Sequence, residues 1–451
     1  MMTKYMLVVF LLGFSLIATL SASASNESME NSINSTNSAN STNSTENLTN
    51  QLDSLNISDK ISSIGSLDNI KLINNSIDSD VFAKGDLLFN QGKYNESLTV
   101  YESALMLYPD DNRSWIGKGK AYYNLNELEE ATNSFSMATI ISPNAAEAWY
   151  YLGLSYNAKR RWKDAVSAFD RALGQNYRKN ETLYRKGFAL VNDSRNDDAI
   201  AALDKAIAID PKMSGAWYAK GLALKNKGKN EEALKAFDKV TEIDPSMELA
   251  WYNKGLTLYN LGKWDVALDA NDKATDLNPN SALAWYEKSR IRYRQNKYEK
   301  TIESLNKASE LDPLKADIFL YKGLSFAGLS KFDESVIWYE KAIGLNSKSP
   351  GTWFYYSNSL ARLDRYNESL RAIGVALSLN PKNEEYWYSK GTYLMKLKKY
   401  SEALKAYGMA TNFKPSLAKA WFGKGLAYEA LNDAKSAKYC FDEAKRQGYK
   451  V

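Results

Sequence analysis

The side chains best suited to recognition chemistry fall in two stretches: Trp285 to Arg294 reads WYEKSRIRYR, and Trp353 to Arg362 reads WFYYSNSLAR. Arginine offers a planar fork that matches a carboxylate, and tyrosine joins apolar area to a hydroxyl. Tyr286, Arg290, Tyr293 and Arg294, with Phe354, Asn358 and Arg362 and with Tyr252 and Tyr259 upstream, therefore suit a groove for an extended peptide. Such a peptide would carry acidic and apolar residues, or end in a free carboxylate. These stretches depart from a repeated sequence at Ser289 and Ser357, which replace glycine, and at Arg292, which replaces the usual Tyr or Leu; the competing reading is ordinary drift.

Covalent and acid–base chemistry is poorly served. Histidine is absent and Cys440 is the only cysteine, which removes the usual zinc ligands and nucleophile–base pairs. No catalytic residue, metal or cofactor is expected, and Cys440 reads as a small residue inside a helix. Gly117-Lys118-Gly119-Lys120 resembles a fragment of a phosphate loop, but it lacks the leading glycine and the trailing Ser or Thr and falls in a helical stretch. Asp210, Asp244 and Asp312 each precede a proline and recur as turn punctuation. A formal net charge of +5 is too mild to imply a nucleic-acid partner.

The elements that position these residues follow from an internal period. Val81, Trp115, Trp149, Leu183, Trp217, Trp251, Trp285, Phe319, Trp353, Trp387 and Trp421 stand 34 residues apart with no insertion or deletion. Counting each repeat from three residues earlier gives eleven repeats over 78–451, with these residues at position 4. Within a repeat, apolar residues such as Trp217, Gly221 and Leu224 mark one face of a first helix, and Ala233, Phe237 and Val240 one face of a second. Glycine at position 8 and alanine at position 20 let the two helices approach closely, with the position-4 ring expected to fill the gap. Gly92, Gly228, Gly262, Asn126, Asn296 and Asn432 suit a left-handed turn between the helices, and prolines such as Pro211 and Pro245 end the second one.

Tryptophan, glycine, A-x3-F-x2-A and proline in this register resemble the tetratricopeptide repeat (TPR) family over 374 of 451 residues. The resemblance implies an all-α fold, a right-handed superhelical solenoid of helix-turn-helix repeats, whose first helices line a groove for peptides or partner domains. It also implies that positions 2, 5, 9, 12 and 13 face the groove, and position 5 is aromatic in most repeats. The family's carboxylate clamp needs lysine at position 5, where this chain has Tyr or Phe, so that clamp is not carried over. Position 7 departs from the family's leucine: Lys84, Lys118, Lys186, Lys220, Lys254, Lys288, Lys322, Lys390 and Lys424 fill nine of the eleven places. That ladder reads either as a cationic track for an acidic ligand or, the favoured reading, as stems packed along the aromatic stripe with their amines in water.

The ends carry separate information. Lys4, the apolar run Met6 to Leu20 and Ala22-Ser23-Ala24 predict an export signal over 1–24. From Ser25 to Asn50, 19 of 26 residues are Asn, Ser or Thr, a composition that predicts a disordered linker, taken as 25–77, with a short helix within 52–77. Sequons at Asn26, Asn34, Asn40, Asn43, Asn47, Asn56 and Asn74 suit a glycosylated spacer, although such a composition also produces them by chance. In the last repeat Lys438, Lys445 and Gln447 replace apolar residues, as expected of a solenoid that ends in its own cap.

These readings converge on a non-catalytic scaffold or adaptor that holds a protein or peptide outside the cytoplasm. No nucleic acid and no small-molecule cofactor is expected, and the membrane enters only through an uncleaved signal segment. The alternative is a structural component of the cell envelope that spaces or cross-links surface proteins.

Overall fold

The computed structural model describes residues 82–450; the expected signal, linker, sequons and 52–77 helix lie outside the described residues. The described residues hold 22 helices and no strand. They open with α1 over 82–90, α2 (Tyr94–Leu107), α3 (Asn112–Asn124), α4 (Leu128–Ile141) and α5 (Ala146–Ala158). Next come α6 (Trp162–Leu173), α7 (Lys179–Asn192), α8 (Asn196–Ile209), α9 (Ser214–Asn226), α10 (Asn230–Ile243), α11 (Glu248–Asn260) and α12 (Trp264–Leu277). Repeats 7 to 9 supply α13 (Ala282–Arg294), α14 (Tyr298–Leu311), α15 (Ala316–Gly328), α16 (Phe332–Leu345), α17 (Pro350–Arg362) and α18 (Tyr366–Leu379). The chain finishes with α19 (Glu384–Lys396), α20 (Tyr400–Phe413), α21 (Ala418–Ala430) and α22 (Ala434–Arg446). The residues form two compact units, one ending at Ala148 and one beginning at Trp149. Within each, first and second helices pair as the 34-residue register predicts, and each second helix packs on the first helix of the next repeat, as α20 does on α21.

The close approach at position 8 has a different filler from the one expected. It is the position-24 side chain of the second helix, not the position-4 ring, that lies over the glycine. A Cβ on Gly221 would stand 2.6 Å from the ring of Phe237, and one on Gly391 2.7 Å from that of Tyr407, so only glycine leaves room. Phe135, Phe169 and Phe237 are fully buried there, each contributing about 2–3 kcal/mol of apolar burial. Where serine replaces the glycine, at Ser289 and Ser357, position 24 shrinks to Leu305 and Ile373, both fully buried. The position-4 tryptophan does another job: its indole N–H donates across the repeat boundary to the backbone carbonyl at position 32. Trp217 reaches Pro211 at 3.0 Å, Trp251 reaches Pro245 at 2.8 Å and Trp387 reaches Pro381 at 2.8 Å.

The turn between paired helices needs one left-handed residue, at position 15. All eleven occupants have positive φ, from Gly92 and Asn126 to Arg160, Ser194, Ser330, Asp364 and Lys398, so the geometry holds even where the residue type does not favour it.

The position-7 lysines do not simply reach water. In five repeats the amine meets a carboxylate at position 25 of the preceding repeat. Lys118 pairs with Glu102 at 2.9 Å, Lys186 with Asp170 and Lys220 with Asp204 at 2.6 Å, Lys254 with Asp238 at 2.8 Å, and Lys288 with Asp272 at 2.6 Å. Lys118, Lys220, Lys254 and Lys288 also lie over the position-4 ring of their own repeat, Lys288 at 4.7 Å from the Trp285 centroid. The ladder is thus a row of bridges joining consecutive repeats. In the last repeat Lys438, Lys445 and Gln447 are exposed, and Tyr449 stacks on Phe422 at 4.3 Å.

Candidate binding groove

The first helices of repeats 7 to 10 place four sets of side chains along one face. Repeat 7 contributes Arg290, Tyr293 and Arg294 from α13, and repeat 9 contributes Asn358, Ala361 and Arg362 from α17. Repeat 10 contributes Thr392, Met395 and Lys396 from α19, whereas repeat 8, between them, has only Leu324, Ala327 and Gly328 from α15. A cavity of about 680 Å³ lies here, floored by Leu324 and the small Ala327 and Gly328 and walled by Tyr293, Phe332, Tyr339, Tyr355, Asn358 and Arg362.

Its polar groups are positioned from below. The Tyr393 hydroxyl, almost buried, donates to Asn358 Oδ1 at 2.6 Å and lies 3.2 Å from Ser357 Oγ. Burial pushes the Tyr393 hydroxyl up to about 12, so it stays a donor throughout the neutral range. This fixes the Asn358 amide with its N–H groups unpaired among the described residues. Arg362 lies over the Phe332 ring at 4.5 Å, and neither it nor Lys396, both exposed, forms an ion pair among the described residues. Asp364, the one carboxylate in the wall, accepts from the Tyr366 hydroxyl at 2.6 Å. The cavity therefore combines phenol-rich walls with two unmatched cations at its rim.

A second cluster lies on repeats 6 to 8. Arg290 pairs with Glu287 at 2.8 Å and stacks on the Tyr259 ring at 4.6 Å, while Arg294 Nε donates to the Tyr259 hydroxyl at 3.0 Å. Glu287 is only 6% exposed; burial pushes its carboxyl up, opposed by the Arg290 charge. The expected basic patch is therefore weaker at this end, because the Arg290 charge is spent inside the protein. Tyr286 is buried rather than half-exposed and, like Tyr293, meets Tyr321 edge-on, at 5.8 and 5.5 Å. Lys315 lies over Tyr286 at 4.3 Å. Tyr252 is half-buried, its hydroxyl pushed up to about 12 by burial and then by the Glu287 charge.

The residues singled out in the sequence thus divide. Tyr293, Asn358 and Arg362 line one cavity; Tyr259, Arg290 and Arg294 form a hydrogen-bonded cluster; Phe354 stacks on Tyr386 at 4.8 Å and does not line the cavity. Sequence reasoning missed Glu287, Tyr321, Phe332 and Tyr355, and above all the small pair Ala327 and Gly328. The available signal was two groove positions in one repeat that lack bulk together. The departures that drew attention serve packing instead: Arg292 donates to Ser304 Oγ at 2.7 Å and to the Lys300 carbonyl at 3.1 Å, and Ser289 donates to the Tyr286 carbonyl at 2.5 Å.

Comparison with known proteins gives the following. A tetratricopeptide repeat profile matches residues 82–144, 136–181, 184–248, 252–308 and 286–350, and a second matches 418–446. The profile of the anaphase-promoting complex, cyclosome, subunit 3 matches residues 329–410. No curated protein matches. Among solved structures, YrrB, described as a TPR protein with an unusual peptide-binding site, is similar at 30% identity over 41% of this chain and 95% of its own, with a TM-score of 0.36. Yeast Tom70 is similar at 14% identity over 83% of this chain and 93% of its own, with a TM-score of 0.38. A tetratricopeptide repeat protein from Parabacteroides merdae is similar at 16% identity over 52% and 94%, with a TM-score of 0.43. With an unbroken 34-residue register of paired helices and tetratricopeptide profiles over more than half of its length, the chain belongs to the tetratricopeptide repeat family.

Proposed function

We propose that this chain is a non-catalytic scaffold that holds an extended segment of a partner protein along the first helices of repeats 6 to 10. The observation that carries the reading is the cavity at repeat 8, where groove side chains are missing while Arg362, Lys396 and the Asn358 amide keep unused binding capacity. A bulky apolar or aromatic side chain fills the space between the tyrosines, and a neighbouring carboxylate meets Arg362. Exposed Leu249 and Leu283, at position 2 of repeats 6 and 7, extend apolar surface for the same segment.

Filling the cavity tests this. Tyrosine already occupies position 12 in repeats 6 and 7, as Tyr259 and Tyr293, so Ala327→Tyr suits the helix and removes the space. With a photo-crosslinking residue at the exposed Tyr355, the partner crosslinked by the unmodified groove disappears in Ala327→Tyr. An unchanged crosslinking pattern rejects the cavity as anchor.

The meeting place is outside the cytoplasm on this reading, supported by Lys4, the apolar run Met6 to Leu20 and Ala22-Ser23-Ala24. N-terminal sequencing of the native protein then starts at or near Ser25. An intact Met1 on protein that fractionates with the cytosol overturns that part.

A further inference from the structure

The lysine bridges stop part-way along the chain. From repeat 8 onward, position 25 of the preceding repeat is Asn306 facing Lys322, Gly374 facing Lys390 and Gly408 facing Lys424. Repeat 9 alone keeps an acid, and there the position-7 residue is Tyr356, whose hydroxyl donates to Glu340 at 2.8 Å. Lys322, Lys390 and Lys424 form no ion pair among the described residues. Lys390 and Lys424 still lie over their own tryptophans, at 5.1 Å from Trp387 and 5.0 Å from Trp421. Beside Gly374 and Gly408 no heavy atom stands within 4 Å of where a Cβ would be, so the space a carboxylate side chain fills elsewhere is open.

Lys322 is the extreme case. It is 3% exposed, its amine lies 4.5 Å from the Trp338 centroid, and among the described residues the amine's one hydrogen bond goes to Ser309 Oγ at 2.9 Å. A second cation, the exposed Lys341, lies 4.2 Å from the Phe319 ring that Lys322 also faces. Glu310 is engaged by Lys307 at 3.1 Å. A buried ammonium without a counter-ion, beside a like charge, is electrostatically unfavourable, and burial followed by the Lys341 charge pushes the Lys322 amine down to about 8. Lys288, one repeat earlier and nearly as buried, has Asp272 in the place that Asn306 leaves without charge.

We propose that the face bearing Lys390 and Lys424 receives an acidic segment of a partner protein, whose Asp or Glu carboxylates take the open places beside Gly374 and Gly408 that position 25 fills in the earlier repeats. The chain itself supplies the template: five times the same lysine setting is completed by a carboxylate on a polypeptide. Lys390 and Lys424 stand on the successive repeats 10 and 11, so the ligand carries more than one acid along one chain rather than being a single small anion. The proposal does not involve Arg362 or the cavity at repeat 8 and stands or falls separately from the groove.

The test uses the full chain and a fluorescein-labelled octaglutamate probe, followed by anisotropy at low salt. Wild type binds saturably and loses the probe as salt rises. Gly374→Asp/Gly408→Asp, which restores the internal carboxylates, binds about tenfold more weakly while melting no lower than wild type. Absence of binding by wild type or equal binding by the double variant overturns the proposal. So does displacement of the probe by inorganic phosphate at the concentration at which unlabelled octaglutamate displaces it, because that identifies a small-anion site.

Discussion

Repeats 5 and 8 share one framework and differ in what they leave open. In repeat 5, Lys220 closes on Asp204 at 2.6 Å, and the groove is filled by Leu222, Lys225 and Asn226, with Lys225 donating to Asn253 at 2.6 Å. In repeat 8, Lys322 faces Asn306, and the groove holds Leu324, Ala327 and Gly328. Yet Gly221 lies under Phe237 just as Gly323 lies under Tyr339. The helix pair is held by positions 8, 24 and 27, so the bridge and groove positions can be emptied without loss of the fold. Capacity for a ligand arises where the framework is intact and the variable positions are vacant.

The shared half of this contrast predicts the largest effect. Gly221→Ala and Gly323→Ala should each cost about 2–3 kcal/mol, because the added Cβ meets a ring that cannot retreat from a dense interior. Similar losses in thermal-melt midpoint for both variants support a common framework; a loss in only one breaks it. Next is Arg290→Ala, which leaves the buried Glu287 without its counter-charge and should destabilise by about 2 kcal/mol, with most of the loss recovered in Arg290→Ala/Glu287→Gln. A change in partner binding at this position is therefore interpretable only beside the melt.

Exchanging the bridges sharpens the comparison further. Asn306→Asp should stabilise by about 1 kcal/mol and Asp204→Asn should destabilise by a similar or smaller amount, since the latter bridge is more exposed. The pH profile gives an independent reading. Lys322 has a folded value near 8, below the ordinary lysine value, so between pH 8 and about 10 the unfolded chain binds more protons and stability rises with pH. Above about 10 the buried tyrosines, whose hydroxyls burial holds protonated, reverse the slope. Asn306→Asp should flatten the rise; an unchanged profile means that Lys322 is not its source. The smallest expected effect is a gain of about 0.5–1 kcal/mol for Ser330→Gly or Lys398→Gly, which relieves a left-handed residue at position 15.

The fold was legible because its determinants are residue types at fixed spacing: tryptophan at position 4, glycine at 8, alanine at 27 and proline at 32. Their roles were less so. Nothing in the order of residues says that Phe237, on the second helix, rather than Trp217, one turn away on the same helix, lies over Gly221, since both are aromatic. For the site, attention went to Ser289, Arg292 and Ser357, where letters depart from the repeat. Two of these departures are matched by Leu305 and Ile373 across the interface, and the third by hydrogen bonds to its own second helix. Repeat 8 drew no attention because Phe319, Gly323 and Tyr339 keep the pattern, while a cavity is missing volume and no single letter records it. Glu287 was invisible for another reason: its value lies in burial beside Arg290, and burial is a property of the folded neighbours.

The bond from each position-4 indole to the carbonyl before it bears on how such a chain changes length. The acceptor belongs to the main chain, so Ser347 serves Trp353 at 2.9 Å as well as proline serves the others. A joint therefore asks for an indole on one side and makes no demand on side-chain identity on the other. Where position 4 is tryptophan, a whole 34-residue module can be spliced in or out with the seam closing on the same donor and acceptor, and a gain or loss of any other length leaves that indole with nothing to hold; Leu183 and Phe319 mark two seams that carry no such bond.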